Sequence, residues 1–553
     1  MAISVRRGGD QTTRARASRV ADRESRERRA RIDAQASVWI AGALFVGVAL
    51  ALLDRVGAPK PLCAALAALA PAIGAVGVGL SSATARGSGF HLAFRAVGAP
   101  YAALVWLGCV AVAAGVLTLS APARASANAP AILVAMTALA PLAGWLARRV
   151  GAISAADLVA RRFESPLARR AAAIPALATG ALLLLAGLGV AAAGLESGAD
   201  LSPGAALAVA AAATALAVAP GGLRGSVYVC AGLTAVGLAA VAAAFFFARA
   251  ALAEATGEPA AALFAQGGLI DAGLALGDAL ASDRADPVAW IGGAGVAVGL
   301  ILGPFGFTPA AGAPDAGEAR RAGFALWPLA ALATLGALAF AALAAAPGES
   351  NWAEATAAAR ELFTAPDLVG APRGFAAAGA SALGLALAIL GAQGVAAAGG
   401  RDPLFDLRDA GALSGRRLGV ARAMTIGAVV LCALANRAAD AYGLAIEPAL
   451  ALVEAGAVSL AGLAPAIALS FTRRAVALDA AIATLVGLAA FVAASALAGG
   501  PTRMTQIGAA ALIGALAGWA VGFATSRLRP IDPREAARAA ALRANRPGSD
   551  MEA

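Results

Sequence analysis

Histidine is almost missing from this sequence, which has His91 and no other. Without paired histidines, and with no cysteines at ligand spacing, neither a zinc site nor a histidine acid–base pair can be assembled. The four cysteines, Cys63, Cys109, Cys230 and Cys432, each stand alone inside an apolar run, so no disulfide framework is implied. A Walker-type glycine loop is lacking, and no single span holds clustered carboxylates. These absences remove the common routes to catalysis, and no enzyme is expected. Lysine is reduced to Lys60, which leaves the basic charge to arginine. Charged residues make up only 14% of the 553 residues, and aromatics 5%.

What fills the chain instead is alanine, glycine, leucine and valine, bringing the hydrophobic share to 60%. The apolar residues gather into runs near 37–54, 61–80, 98–119, 130–147, 172–194, 204–220, 226–248, 287–304, 323–346, 374–399, 418–436, 447–470, 476–498 and 505–526. Runs of roughly 17 to 25 residues match a helix crossing a hydrocarbon core of about 30 Å. The alternating short segments of an outer-membrane barrel are not seen. The expected fold class is therefore all-α, a polytopic transmembrane bundle of about 14 helices, closely packed through small residues.

The formal charge of +10 does not point to nucleic acid, because the arginines sit at the ends of apolar runs and in the N-terminal stretch. Ten of them fall between Arg6 and Arg31, ahead of the first run, as in a cytoplasmic arm that touches anionic lipid. Counting loops from that arm, the expected inside loops hold Arg86, Arg95, Arg148, Arg149, Arg161, Arg162, Arg224, Arg320, Arg321, Arg416, Arg417, Arg473 and Arg474. The outside loops are poorer in arginine and carry acids such as Glu254, Glu258, Asp271 and Asp278. By the positive-inside rule both termini are cytoplasmic, in a bacterial inner membrane. Two outside loops, 249–286 and 347–373, are long enough to cap an entrance, the second mixing Asn351, Trp352, Glu361 and Phe363. Beyond Asp532, Pro533 and the alanine–arginine spacing predict a short surface helix.

A series of short motifs follows in order. Phe90-His91-Leu92-Ala93-Phe94-Arg95 precedes the third run, and Ile153-Ser154-Ala155-Ala156-Asp157-Leu158 leads to Arg161-Arg162-Phe163. Pro220-Gly221-Gly222-Leu223-Arg224-Gly225-Ser226 enters the seventh run. Gly303-Pro304-Phe305-Gly306-Phe307 is followed by Pro314-Asp315-Ala316-Gly317-Glu318-Ala319-Arg320-Arg321, and Asp402-Pro403-Leu404-Phe405 follows the tenth run. In order and spacing, over roughly residues 61–526, this series resembles the acetate-permease (cation:acetate symporter) branch of the sodium:solute symporter family. The run at 37–54 is extra.

The resemblance implies a five-plus-five inverted repeat of the leucine-transporter type. It divides the chain into a basic arm (1–36), two extra helices with a cytoplasmic loop (37–97), a transporter core (98–471), two further helices (472–526) and a tail (527–553). It also implies a midplane site for a small-molecule solute, with sodium or a proton as coupling ion and no other cofactor. Gly98-Ala99-Pro100 and Gly303-Pro304 are the places where a core helix could break. At the family's sodium-ligand positions this chain has Cys109, Val112 and Gly115 in the first core helix and Gly391 and Ala392 in the eighth, so no hydroxyl ligand is retained and no metal site is expected there. Gln393 is a polar group inside a span, able to ligate or to bond a neighbouring helix. Glu454 is the deepest carboxylate, either proton-accepting or in an outer vestibule. The substrate and ion pathway candidates are thus Cys109, Gly303, Pro304, Gly391, Ala392, Gln393 and Glu454. His91 is expected at the cytoplasmic surface, and Asp479 and Gln506 in solvated positions near helix ends.

The function expected is cation-coupled symport of a small organic solute such as a monocarboxylate. The alternative is a non-transporting paralogue serving as a membrane scaffold or sensor. Besides lipid and solute, a homo-oligomer or a small membrane subunit remains open as a partner.

Overall fold

The structure, a computed structural model, describes residues 33–85, 87–119, 129–256, 287–344, 370–399, 414–444, 446–497 and 503–544. The basic arm up to residue 32, both long outside loops apart from their edges and the Asp402–Phe405 motif lie outside the described residues. Every apolar run became a helix. In chain order these are α1 (Asp33–Arg55) and α2 (Lys60–Ser81), the short α3 (Gly87–Leu92), α4 (Ala99–Leu119) and α5 (Ala129–Val150). Next come the short α6 (Ala155–Phe163), then α7 (Pro166–Ala199), α8 (Pro203–Val218) and α9 (Leu223–Thr256). The second half holds α10 (Pro287–Leu302), α11 (Pro304–Ala311), α12 (Ala316–Ala344), α13 (Ala371–Gly399), α14 (Ser414–Ala441) and α15 (Pro448–Ser470). The chain closes with α16 (Ala477–Ala496), α17 (Arg503–Arg527) and α18 (Pro533–Ala544).

Eleven spans among the described residues are long and apolar enough to cross a membrane. Two shorter apolar stretches and α12 bring the bundle to the expected fourteen. Proline opens α7, α8, α10, α11, α15 and α18. Its missing N–H falls where a helix has no acceptor for one, and its fixed φ suits the first turn. Pro100 belongs to the same pattern: Gly98-Ala99-Pro100 is the start of α4, and α4 runs on without a break. Gly303, by contrast, separates α10 from α11.

The two halves of the core pack as copies of each other. α4 lies against α9 and α10 against α15; α5 meets α10 and α4 meets α12; α9 meets α13 and α7 meets α15. The broadest contact of all is α7 with α13, the helices that map onto each other. There the reciprocity extends to single residues. A methyl group at Gly187 would lie 2.3 Å from the Ala388 nitrogen, and one at Gly384 would lie 2.4 Å from the Ala191 nitrogen. Likewise Gly391 faces the Leu184 nitrogen at 2.5 Å and Gly194 the Ser381 nitrogen at 2.7 Å. Each pair and its counterpart are related by the same shift along the sequence, as an inverted repeat with its axis through this seam requires. Glycine is needed because in lipid, where no hydrophobic force draws helices together, close backbone approach supplies the packing energy.

The arginine-rich ends of the helices are tied down by the arginines themselves. Arg148 donates to the carbonyls of Ala313 and Pro314, and Arg422 to those of Ala219, Thr84 and Pro220. Arg162 donates to Ser470 and Thr472. Several of these acceptors are carbonyls at or just past helix C-termini, which lack an intrahelical donor and carry the negative end of the helix dipole. Pro533 opens α18 as its spacing predicted, and α18 docks on α6 through Arg162–Glu535 and Arg538–Glu164 pairs. Asp479 departs from expectation. It is fully buried, its Oδ2 capping the Val476 N–H at 3.0 Å and its Oδ1 3.3 Å from Arg529. An acid in the first turn of α16 is worth more as a cap than as a solvated group. Gln506 is exposed as expected, and His91 is half-buried, edge-on to Phe90 at 5.0 Å.

Candidate functional site

The site begins at the α10–α11 interruption. Pro304 has no N–H to give the Leu300 carbonyl, and Gly303 fills in, its nitrogen 3.1 Å from that oxygen. Gly303 is extended, with ψ near −157°, which turns the chain before α11 starts. Two glycines make room for the turn. A methyl group at Gly306 would sit 2.0 Å from the Ile301 oxygen, and one on Gly394 of α13 would sit 2.3 Å from Pro304 Cγ.

Beside the break lies a cavity of about 20 Å³ lined by Ser154, Leu302, Gly303, Pro304, Thr308 and Gly394, with α6 and α7 closing it. That volume holds about one water-sized occupant. Ser154 stands in the loop between α5 and α6, which follows the arginines at the end of α5, so this wall of the cavity lies beside an arginine-rich helix end. Ser154 caps α6: its Oγ accepts the Asp157 N–H at 3.2 Å, while Asp157 Oδ2 accepts from the Ile153 N–H at 3.2 Å and from Arg161 Nε at 3.1 Å. Thr308 is only 4% exposed and its hydroxyl makes no hydrogen bond among the described residues. Behind the cavity, Thr179 donates to the Pro175 carbonyl at 2.8 Å, with its methyl against Gly303.

The residues singled out from sequence divide. Gly303 and Pro304 line the cavity. Gln393, one residue before Gly394, is 2% exposed with Oε1 3.3 Å from the Ser226 hydroxyl, which also reaches the Gly222 carbonyl at 2.9 Å. It therefore bridges α13 to the start of α9. Gly391 is pressed on the α7 backbone, and Ala392 is fully buried. Cys109 is fully buried in α4 and Glu454 half-buried in α15, and neither lines the cavity. At the positions where the resembled family has sodium ligands, α4 and α13 thus offer a thiol and methyl groups and no side-chain oxygen. Ser154, Thr308 and Gly394 were the site residues not singled out. A signal existed for one: Ser154 three residues before Asp157 stands at the N-cap spacing that marks a helix start, and it caps α6.

These elements define a multi-pass membrane bundle with an inverted repeat and, among the described residues, an interrupted core helix. No known protein family matches the sequence, and no curated protein does. Among solved structures the chain is similar to the substrate-bound, outward-open state of a Na+-coupled sialic acid symporter. The TM-score is 0.63 with 14% identity, covering 84% of this chain and 97% of that one. The likeness is one of fold.

Proposed function

We propose that this protein is a secondary active transporter, carrying a small organic solute by cation-coupled symport across a bacterial inner membrane, with both termini in the cytoplasm. The observation that supports this most is the interrupted α10–α11 helix, whose break lines a cavity inside an inverted-repeat bundle. In bilayers, irregular backbone persists only where it is buried in protein or lines a cavity, and such breaks serve solute and ion binding in transporters. The arginine-rich helix ends support the orientation. The motif resemblance makes a monocarboxylate such as acetate the first solute to test, with sodium or a proton as coupling ion.

One observation favours the scaffold or sensor reading instead. α4, the counterpart of the interrupted helix, is continuous. Uptake of radiolabelled acetate and pyruvate into proteoliposomes, under sodium and proton gradients imposed separately, discriminates the two. Gradient-driven uptake that falls with Gln393→Ala or Glu454→Gln supports the symporter. No uptake above empty liposomes, from protein shown to be folded, leaves the scaffold.

A further inference from the structure

The resembled family's oxygen ligands are gone from α4 and α13, and the seam at Gly391 leaves no space for an ion, since its surroundings are the Leu184 nitrogen and the Gly180 carbonyl. One turn further along α13, at Gly394, the chain opens a cavity with oxygens of a different origin. Thr308 contributes a buried hydroxyl without a hydrogen-bond partner among the described residues. Ser154 contributes a hydroxyl whose bond among the described residues is the one it accepts from the Asp157 N–H. Leu302 lines the cavity too, and as the last residue of α10 it sets its carbonyl at the negative end of that helix, just before Pro304, which has no N–H to offer.

Three ligands are conceivable for such a space. A carboxylate or phosphate is too large for a volume of about 20 Å³. A small anion would find no lysine, arginine or histidine in the lining. Although the first turns of α6 and α11 open nearby, the Asp157 carboxylate already sits in the first turn of α6, where it offsets the dipole. The open valences are mostly lone pairs on hard oxygens, in a void the size of a water molecule, which suits a small monovalent cation.

We propose that Ser154, Thr308 and the Leu302 carbonyl form a sodium-sized cation site at the α10–α11 break, standing in for the ligands lost from α4 and α13. The choice of cation rests on the cation-coupled reading; the site itself rests on the cavity and its oxygens. Gly394 keeps the site open by leaving Pro304 unobstructed. Because the three ligands come from the α5–α6 loop, α10 and α11, an ion there ties these three segments together.

The test is direct binding of radiolabelled sodium to the purified full-length protein, competed with NaCl, LiCl, KCl or choline chloride. Saturable binding competed by NaCl and not by choline is expected. Thr308→Val and Ser154→Ala should each weaken it by about tenfold or more, as loss of one hard ligand does, while Thr308→Ser keeps it. Thr425→Val, whose hydroxyl serves only its own helix through Ala421, is the control and should bind as wild type. Monodispersity and the thermal midpoint without sodium show whether each variant is folded. No saturable binding in wild type, or equal binding in wild type, Thr308→Val and Ser154→Ala, overturns the site and leaves the cavity to water. Transport is read separately. Proton-driven uptake without sodium binding removes the site and keeps the transporter, whereas sodium binding without uptake of any solute keeps the site and removes symport.

Discussion

The guanidinium of Arg162, with no exposed side-chain surface, is salt-bridged to Glu535, 373 residues further along the chain. The same arginine stacks on Phe163, its carbon 4.7 Å from the ring centre. It thus fastens α6, the end of α15 and the C-terminal helix at one point. Glu535 in turn holds Arg538 at 2.9 Å, and Arg538 reaches back to Glu164.

Glu535→Ala takes the carboxylate from a buried guanidinium, and removing one partner of a buried ion pair is strongly destabilising; a loss of about 2 to 3 kcal/mol is expected. Arg162→Met combined with Glu535→Ala should lose less than the two single changes summed. Thermal midpoints in detergent for the three variants check this. Additive losses would mean that the pair is not coupled.

Arg422 serves three carbonyls with one planar head group. Lysine offers a point charge and cannot reproduce that fork. Arg422→Lys should therefore lower stability by about 1 to 3 kcal/mol, the effect of leaving partly buried acceptors unmatched. Stability equal to wild type in a denaturant series would show the clamp to be idle.

On the α7–α13 seam, Gly187→Ala and Gly391→Ala each place a methyl group within 2.5 Å of main-chain atoms, which have no rotamer to move away. Both should sharply reduce folded yield. Gly427, inside α14, has nothing within 4 Å of such a methyl, and Gly427→Ala should gain about 0.5 to 1 kcal/mol from helix propensity. Elution profiles of the three proteins expressed side by side distinguish crowding from propensity.

Trp39 of α1 is seated over two glycines. A methyl group at Gly232 would overlap its ring at 1.4 Å, and one at Gly74 would come within 2.5 Å of its indole nitrogen. Gly232→Ala alone should loosen α1 from the bundle. Adding Trp39→Ala should recover part of the loss, because the obstruction goes with the ring. Limited proteolysis between α1 and α2 reports the docking.

The spans could be located from sequence because a bilayer imposes a length on every apolar run, and the sequence shows those lengths openly. Gly303-Pro304 was legible as a break for a related reason: proline removes a donor wherever it stands. Partners far along the chain were not legible. Nothing in the run of residues joins Ser154 to Thr308, or Arg162 to Glu535, since helical periodicity specifies a face and not the face it meets. Asp479 was misplaced on the same account, its burial arising from α17 folding back with Arg529. Gly391, singled out for a ligand position, turned out to be occupied by the seam, a use that a lone glycine in an alanine-rich run does not announce.

That seam has its own consequence. Gly187 over Ala388 and Gly384 over Ala191 form a surface complementary to its own copy, the property of an interface between twofold-related subunits. The two halves of this single chain meet as protomers do. A separate half carrying α4 to α9 would present on α7 the contact set needed to recognise a second molecule lying upside down beside it.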